Sequence, residues 1–196
     1  AMARRALALQ RSLSTAVPTM RLGDGTMLPR LAFGTYKVGV VPTSATEGLA
    51  SDAAPLRTTQ AVVRDALDAG YRCFDCAQFY ANEAAVGDAL HASGVARESI
   101  FLIGKVWNDA IFSGPEAVKA QVHLTLHELR IDFIDLFLVH WPVPGKYTAA
   151  YAALLELQAD GLIRSVGVSN FTVDDVDVLI SATKQAPSVN QIEVNP

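Results

Sequence analysis

Residues 70–83 decide the fold of this chain and read Gly70-Tyr71-Arg72-Cys73-Phe74-Asp75-Cys76-Ala77-Gln78-Phe79-Tyr80-Ala81-Asn82-Glu83. The stretch begins as an apolar strand and stops at the charge of Asp75. A carboxylate at the end of a buried strand costs free energy unless it has a partner or a function. Tyr80 follows five residues later, beyond the strand, where a loop can turn its side chain back over the strand end. Asp75 and Tyr80 are therefore candidate site residues.

Polar residues follow three later apolar strands in the same way. Lys105, His140 and Asn170 stand at the ends of these strands, and the intervals from Asp75 onward are 30, 35 and 30 residues. Each interval holds one strand and one helix, which is the pattern of a parallel βα repeat with right-handed crossovers. A doubly wound open sheet and a (β/α)8 barrel both contain such repeats. No G-x-G-x-x-G follows the first strand, and all strand ends meet at one mouth only in a barrel, so the pattern favours the barrel.

The chain is predicted to contain about six βα units behind an N-terminal β-hairpin. Alternating residues flank an Asp-Gly turn signal, so residues 19–28 are predicted to form the hairpin. A closed barrel of this type needs eight strands, and we expect a C-terminally truncated (β/α)8 TIM barrel domain over residues 19–196 that lacks the last two strands. The predicted strands are 31–36, 71–77, 100–106, 134–140, 165–170 and 189–194. The predicted helices are 59–69, 83–92 with Asn82 as its N-cap, 115–129, 149–160 and 173–182, and residues 38–55 are predicted to be a long surface loop.

Composition and charge limit the possible classes of function. Hydrophobic residues make up 51% of the 196 residues, the formal net charge is −4 and the pI is about 5.5. This charge gives no electrostatic reason to expect a nucleic-acid partner. No apolar run reaches the length of about 18 residues that a membrane span requires. A cytoplasmic monomer that acts on a small molecule is expected.

Residues 1–18 differ from the rest of the chain because they contain arginine and serine, and no acidic residue occurs before Asp24. Such a start resembles an organellar transit peptide, which would direct the protein to a mitochondrion or plastid. A disordered or cloning-derived tail is the alternative, since Ala1 precedes Met2. The two interpretations stay open on the sequence.

The two cysteines, Cys73 and Cys76, are predicted to be reduced, buried hydrophobic residues. Three residues of a strand span about 10 Å, whereas a disulfide requires Cα atoms within about 7 Å, and the two side chains point to opposite faces.

His123 and His127 have the i,i+4 spacing of a two-point metal ligand. They lie in mid-helix, far from the strand ends and without a convincing third ligand, so no metal site is expected.

Four of the candidate side chains suit the protonation of an oxyanion. Lys105 at the end of an apolar strand needs a partner, and Asp75 on the neighbouring strand is the natural one. A cation beside the Tyr80 phenol stabilises the phenolate and is predicted to lower the pKa of the phenol, which suits a general acid for a carbonyl oxygen. His140 can donate a hydrogen bond to that oxygen. No side chain supplies an obvious nucleophile, so a cofactor is expected.

Several stretches of the chain match the signatures of a known family. The pattern of the first stretch resembles the first signature of the aldo-keto reductase family, and it reads Gly70-Tyr71-Arg72-x-Phe74-Asp75-x-Ala77-x-x-Tyr80-x-Asn82-Glu83-x-x-Val86-Gly87-x-Ala89-Leu90. Later stretches are similar to other landmarks of the family, and they are Asp135-Leu136-Phe137-Leu138-Val139-His140-Trp141-Pro142, Val166-Gly167-Val168-Ser169-Asn170-Phe171, Gly34-Thr35-Tyr36, Lys105-x-Trp107-Asn108 and Asn190-Gln191-x-Glu193.

The resemblance implies a (β/α)8 barrel that binds NADPH across its C-terminal mouth and transfers a hydride to an aldehyde or ketone. It implies that Tyr80 is the general acid and that Lys105, held by Asp75, tunes it. It also implies that His140 orients the carbonyl. The cofactor contacts that it implies are Gly34, Thr35, Tyr36, Asp75, Ser169, Asn170 and Gln191. The substrate contacts that it implies are Tyr80, Trp107, His140 and Trp141.

The chain also departs from the family pattern. The last two barrel strands, the basic segment that grips the adenosine 2′-phosphate and the C-terminal loop are absent from the 196 residues. The preference for NADPH over NADH therefore rests on the family alone. Two alternatives to an active reductase stay open: a non-catalytic protein that binds the cofactor without turnover, and a truncated pseudoenzyme that neither closes nor binds.

Overall fold

The structure, a computed structural model, describes residues 17–38 and 58–195. The predicted tail or transit peptide over residues 1–18 and the predicted loop over residues 38–55 lie almost entirely outside these ranges.

An antiparallel hairpin precedes the main sheet, as the Asp-Gly turn signal predicts. Strand β1 (Thr19–Arg21) pairs with strand β2 (Met27–Pro29). Within the turn, Asp24 accepts a hydrogen bond from the backbone nitrogen of Thr26 at 2.9 Å. The same carboxylate accepts a hydrogen bond from Ser165 Oγ at 2.6 Å. Because Ser165 lies near the amino end of its strand, the hairpin lies at the end of the sheet opposite to the polar strand ends.

Six parallel strands form the main sheet, and they follow one another in chain order. Each strand pairs only with its neighbours in sequence, whereas a doubly wound sheet reverses its strand order at a switch point. The order is that of the wall of a (β/α)8 barrel, so the predicted incomplete barrel is confirmed and the open sheet is excluded. The strands are β3 (Phe33–Gly34), β4 (Cys73–Asp75), β5 (Phe101–Val106), β6 (Ile134–Val139), β7 (Ile163–Ser169) and β8 (Asn190–Gln191).

The two edge strands of this sheet are shorter than the sequence predicts. The predicted strand 31–36 is reduced to the two residues of β3, and the predicted strand 189–194 is reduced to the two residues of β8. The predicted strand 71–77 is likewise reduced, to the three residues of β4, which has a neighbour on each side. Apolar sequence therefore predicts that a strand is present but not where its ladder ends.

Six helices lie in the described part of the chain, and the five predicted ones are confirmed to within two residues at each end. The sixth is a short helix that begins two residues after the end of β5, and it was not predicted. No helix within residues 17–38 and 58–195 has the length and apolar character needed to cross a membrane. The helices are α1 (Thr59–Asp68), α2 (Glu83–Ala92), α3 (Asn108–Ser113), α4 (Pro115–Leu129), α5 (Tyr147–Ala159) and α6 (Val173–Thr183).

Asn82 stands at the N-cap position of α2, as predicted, although its side chain makes no capping hydrogen bond. Its Nδ2 instead donates to the carbonyl oxygens of Thr35 at 2.9 Å and Val38 at 3.0 Å. Asn82 is buried, and the carbonyl groups of the loop after β3 need donors there. The side chain therefore ties that loop to the start of α2.

The hydrophobic core lies on both faces of the main sheet. Side chains alternate along the strands, so Phe74 and Leu102 pack against the helices while Cys73 and Ile103 pack on the inner face.

Cys73 and Cys76 are buried, unbonded to one another and in different clusters, as predicted. Burial raises the pKa of the Cys73 thiol to about 12, so it stays protonated. Cys76 lies just past the end of β4 rather than inside a strand, because the ladder stops one residue earlier.

Candidate active site

Lys105 and Asp75 form an ion pair at the carboxyl ends of neighbouring strands. Asp75 lies opposite Ile103 in the register of β4 and β5, and Lys105 projects from the same face of β5 as Ile103 does. Lys105 is only 1% exposed, and its Nζ donates to Asp75 Oδ1 and, at 3.1 Å, to the carbonyl oxygen of Cys76. A buried ammonium requires such partners, so the pair predicted from the strand ends is present.

Tyr80 returns over this pair through a turn of 3₁₀-helix at Gln78–Tyr80, and Ala81 ends the turn with a left-handed φ of 53°. The Tyr80 hydroxyl oxygen accepts a hydrogen bond from Lys105 Nζ at 3.3 Å. Burial raises the pKa of the phenol above its ordinary value, although the charge of Lys105 acts to lower it. The predicted net lowering of this pKa is therefore wrong: burial outweighs the cation, and the phenol is protonated at neutral pH.

His140 follows β6 and faces Tyr80, with the two ring centroids 6.1 Å apart. Burial, together with the charge of Lys105, lowers the pKa of the imidazole to about 4, so the ring is neutral at neutral pH. Its Nδ1 is fully buried and has no hydrogen-bond partner among the described residues. An N–H group buried without an acceptor is costly, so the tautomer with the proton on Nε2 is favoured.

Aromatic rings line one side of these polar groups. Phe79 stacks on Trp107 with centroids 4.1 Å apart, and Trp107 meets the edge of His140 at 4.8 Å. The Tyr36 ring lies 5.0 Å from the Tyr80 ring and 6.3 Å from that of Phe79. Sequence reasoning missed Phe79, although its place directly before Tyr80 in the turn was a usable signal. The indole of Trp141 is 44% exposed and makes no ring contact with the described aromatic residues.

The predicted cofactor residues at the start of the sheet lie against Asp75. Gly34 pairs with Asp75 in the register of β3 and β4. Thr35 is fully buried, and both its backbone nitrogen and its Oγ1 donate to the carbonyl oxygen of Asp75 at 3.0 Å. Tyr36, in contrast, is 48% exposed. Of these three residues, Tyr36 therefore presents the most side-chain surface for a ligand.

The predicted cofactor residues at the other end of the sheet form a polar set beside His140. Ser169 lies opposite Gln191 in the register of β7 and β8, and its Oγ donates to the carbonyl oxygen of Gln191 at 3.0 Å. Asn170 has a left-handed φ of 62° and donates through Nδ2 to the carbonyl oxygen of His140 at 3.0 Å and to Ser169 Oγ at 3.1 Å. Hydroxyl and amide groups can both donate and accept, which fits the carbonyl and NH₂ of a nicotinamide carboxamide.

His123 and His127 are both exposed on α4. Within the described residues, no three His, Cys, Asp or Glu side chains come together as a metal site requires.

The sequence model of the aldo/keto reductase family matches residues 30–196. The chain belongs to the aldo/keto reductase family. It is similar to a methylglyoxal reductase of Yersinia pestis, with 38% identity over 184 residues that make up 93% of this chain and 59% of that relative. An aldo-keto reductase of Mycolicibacterium smegmatis is 38% identical over 91% of this chain and 59% of its own length.

Solved structures of aldo-keto reductases share the fold of this chain. The reductase of Brucella melitensis superposes with a TM-score of 0.78 at 35% identity, over 91% of this chain and 64% of the other. The Bombyx mori reductase in complex with NADP superposes with a TM-score of 0.77 at 31% identity, over 92% of this chain and 59% of the other. The chain thus spans about three fifths of the length of the aldo-keto reductases that it matches.

Proposed function

We propose that this chain carries the catalytic residues of an NADPH-dependent reductase that converts an aldehyde or ketone into an alcohol. The hydrogen bond of 3.3 Å between Lys105 Nζ and the Tyr80 hydroxyl, with Lys105 held by Asp75, carries the proposal. Two relatives support it, because the Yersinia pestis protein is named a methylglyoxal reductase and the Bombyx mori structure contains NADP.

Each of these side chains has a separate role in the proposed reaction. Tyr80, whose phenol is protonated at neutral pH, donates its proton to the carbonyl oxygen as hydride adds to the carbonyl carbon. Lys105 stabilises the phenolate that remains. His140, neutral and carrying its proton on Nε2, donates a hydrogen bond that orients the carbonyl. NADPH, when bound, would supply the hydride, and together with the proton from Tyr80 the carbonyl would gain two electrons and two hydrogens.

The polar set at the ends of β7 and β8 is proposed to hold the nicotinamide. Asn170 and Ser169 already hydrogen bond to one another and to the main chain, so their side chains are held in place before a ligand arrives. With Gln191 they offer donors and acceptors to a carboxamide. Gly34, Thr35 and Tyr36 are proposed to line the ribose and nicotinamide on the opposite side. Trp107 and Trp141 are proposed to line the substrate pocket.

The proposal is tested by two measurements on the 196-residue chain. NADPH is titrated while the fluorescence of Trp107 and Trp141 is followed, and NADPH oxidation is then measured with methylglyoxal as the probe. Saturable binding and turnover are expected, and Tyr80→Phe is expected to lower kcat/KM about 100-fold or more without weakening NADPH binding. Tyr71→Phe, which removes a hydroxyl from the other end of β4, serves as the matched control.

Three results would speak against the proposal in different ways. Full activity in Tyr80→Phe would overturn the role of the tyrosine. Saturable NADPH binding without substrate-dependent oxidation would favour the non-catalytic alternative. A folded chain that does not bind NADPH would show that these residues do not make up a cofactor site by themselves.

A further inference from the structure

Gln78 connects the turn that carries Tyr80 to the loop that carries Trp107. Its Oε1 accepts a hydrogen bond from the backbone nitrogen of Trp107 at 2.7 Å, and its Nε2 donates to Asp109 Oδ1 at 3.0 Å. The same oxygen of Asp109 accepts from the backbone nitrogen of Ala110 at 2.8 Å, in the first turn of α3. Both ends of the Gln78 amide are therefore engaged with one short segment.

The backbone of Trp107 has left the sheet at this point. Strand β5 ends at Val106, which is the last residue of its ladder with β6 and lies opposite Val139. The Trp107 N–H accordingly finds its acceptor in a side chain, that of Gln78, rather than in the neighbouring strand. A backbone donor outside the ladder is held only as well as the group that accepts from it.

The Trp107 indole in turn stands between two parts of the candidate site. One face stacks on Phe79 at 4.1 Å, and Trp107 meets the edge of His140 at 4.8 Å. Phe79 lies between Gln78 and Tyr80 in the same turn. Gln78 therefore holds the backbone of Trp107, and Phe79 packs on its indole. Both residues belong to the turn that carries Tyr80.

We infer that Gln78 is a positioning residue that fixes the indole of Trp107 relative to Tyr80 and His140. It touches neither hydroxyl nor imidazole, and it acts through Trp107. For its kinetic consequence the inference rests on the proposed reductase function, while its structural consequence does not depend on turnover. The Trp107 indole is proposed to line the substrate pocket, where it would contact a large apolar group of the substrate. Substitution of Gln78 is therefore expected to raise the KM for such substrates more than it lowers kcat.

Three variants separate this role from a general contribution to stability. Gln78→Leu removes the hydrogen bonds to Trp107 and Asp109 and keeps a side chain of similar size. Gln78→Glu keeps an acceptor for the Trp107 N–H but places a carboxylate beside that of Asp109. Adding Asp109→Asn to Gln78→Glu restores a donor–acceptor pair with the two groups exchanged and the net charge unchanged. Asp109→Asn alone is its control, because the same Asp109 oxygen also accepts from the Ala110 backbone nitrogen and an NH₂ group at that place cannot. Gln158→Leu is the matched control, because the Gln158 side chain likewise hydrogen bonds to the main chain, by donating to the carbonyl oxygen of Arg164 at 3.0 Å, but lies far from the site.

The first readout is hydrogen exchange of the Trp107 backbone amide, which needs no enzymatic activity. Gln78→Leu is expected to speed this exchange about fivefold, in line with the loss of one hydrogen bond, and Gln158→Leu is expected to leave it unchanged. The second readout is steady-state reduction of benzaldehyde and of methylglyoxal. Gln78→Leu and Gln78→Glu are expected to raise KM for benzaldehyde about fivefold with kcat retained, and to change KM for methylglyoxal less.

The double variant decides the matter. If it restores the KM for benzaldehyde towards the wild-type value, and Gln78→Leu speeds the exchange of the Trp107 amide, the positioning role stands. Unchanged exchange in Gln78→Leu, or a double variant no better than Gln78→Glu alone, overturns it. If Gln78→Leu does not fold, the comparison of Gln78→Glu with the double variant still provides the test. A wild-type chain without turnover contradicts the proposed function, and the exchange measurement then decides the structural role alone.

Discussion

The hydroxyl oxygen of Tyr80 lies 3.3 Å from Nζ of Lys105, yet the phenol has a raised pKa. The two effects at this contact oppose one another. Burial disfavours the phenolate, whereas the ammonium favours it, and burial is the larger of the two. Lys105 also shares its charge with Asp75, which weakens its effect on the phenol. The phenol of Tyr80 is therefore protonated at neutral pH.

Replacing Lys105 should raise the pKa of Tyr80 further, because only the lowering contribution is lost. In Lys105→Met, the ionisation of Tyr80 is expected to move to higher pH than in the wild type, and Lys105→Arg, which keeps the charge, is expected to move it less. The measurement is the ultraviolet absorbance of phenolate against pH, with Tyr80→Phe subtracted in each background to isolate this residue. Identical curves for Lys105→Met and the wild type would show that the contact has no electrostatic effect on the phenol.

His140 should remain neutral throughout the range in which an ordinary histidine titrates, near its reference pKa of 6.5. Burial and Lys105 place its pKa at about 4, so its protonated form appears only in acid. The ring resonance of His140, assigned with His140→Gln, is expected to show no titration between neutral pH and pH 5 by NMR. An inflection near pH 6.5 would contradict the buried, neutral imidazole on which its proposed hydrogen-bond donation depends.

Glu83 is a second buried titratable group, at the start of α2. It is 3% exposed, its Oε2 accepts from Thr125 Oγ1 at 3.1 Å, and its Oε1 has no hydrogen-bond partner among the described residues. Burial, partly offset by the Thr125 hydrogen bond, raises the pKa of the carboxyl from 4.5 to about 7. The folded state therefore holds this proton more tightly than the unfolded chain does.

The sign of the resulting pH dependence follows from linkage. Between pH 4.5 and about 7 the folded state binds more protons at Glu83, so its contribution is complete below pH 4.5 and is lost as the pH rises towards 7. The difference amounts to about 3 kcal/mol at most. Glu83→Gln, which mimics the protonated form, is expected to flatten this decline in the free energy of unfolding measured with urea. The exposed Glu98→Gln should leave the decline unchanged, and a decline that survives in Glu83→Gln would exclude Glu83 as its source.

Gly87 allows α2 to approach the end of α4 more closely than any side chain would permit. A Cβ at this position would lie 2.3 Å from the carbonyl oxygen of Glu128 and 2.7 Å from Leu129 Cα. Because backbone atoms cannot yield as a flexible side chain can, Gly87→Ala is expected to lower the free energy of unfolding by about 1–3 kcal/mol. Gly23→Ala is the control, since its nearest neighbour would be 3.9 Å away. Equal stability of the two variants would disprove the close helix contact.

The elements of this fold could be predicted because their signals are local. The helix α4 begins at Pro115 and ends at Leu129, as its spacing of apolar residues predicts. The strands β3 and β4 could not be predicted in their true lengths, because a ladder ends where backbone pairing with the neighbouring strand ends, which residue spacing does not show. Asn82 illustrates the same limit: it stands at the N-cap position of α2, but the hydrogen bonds from its Nδ2 to the carbonyl groups of Thr35 and Val38 fix the orientation of its side chain, and its Oδ1 makes no hydrogen bond to the helix.

The sequence by itself determined the order of strands and helices, the strand ends that carry Asp75, Lys105 and His140, and the family to which the chain belongs. These properties follow from residue spacing and from motifs that can be read along the chain. Only the tertiary structure decided the direction of the Tyr80 pKa shift, the neutrality of His140 and the link from Gln78 to Trp107. Each of these depends on burial or on contact between groups about 30 residues apart, and neither is encoded in local spacing.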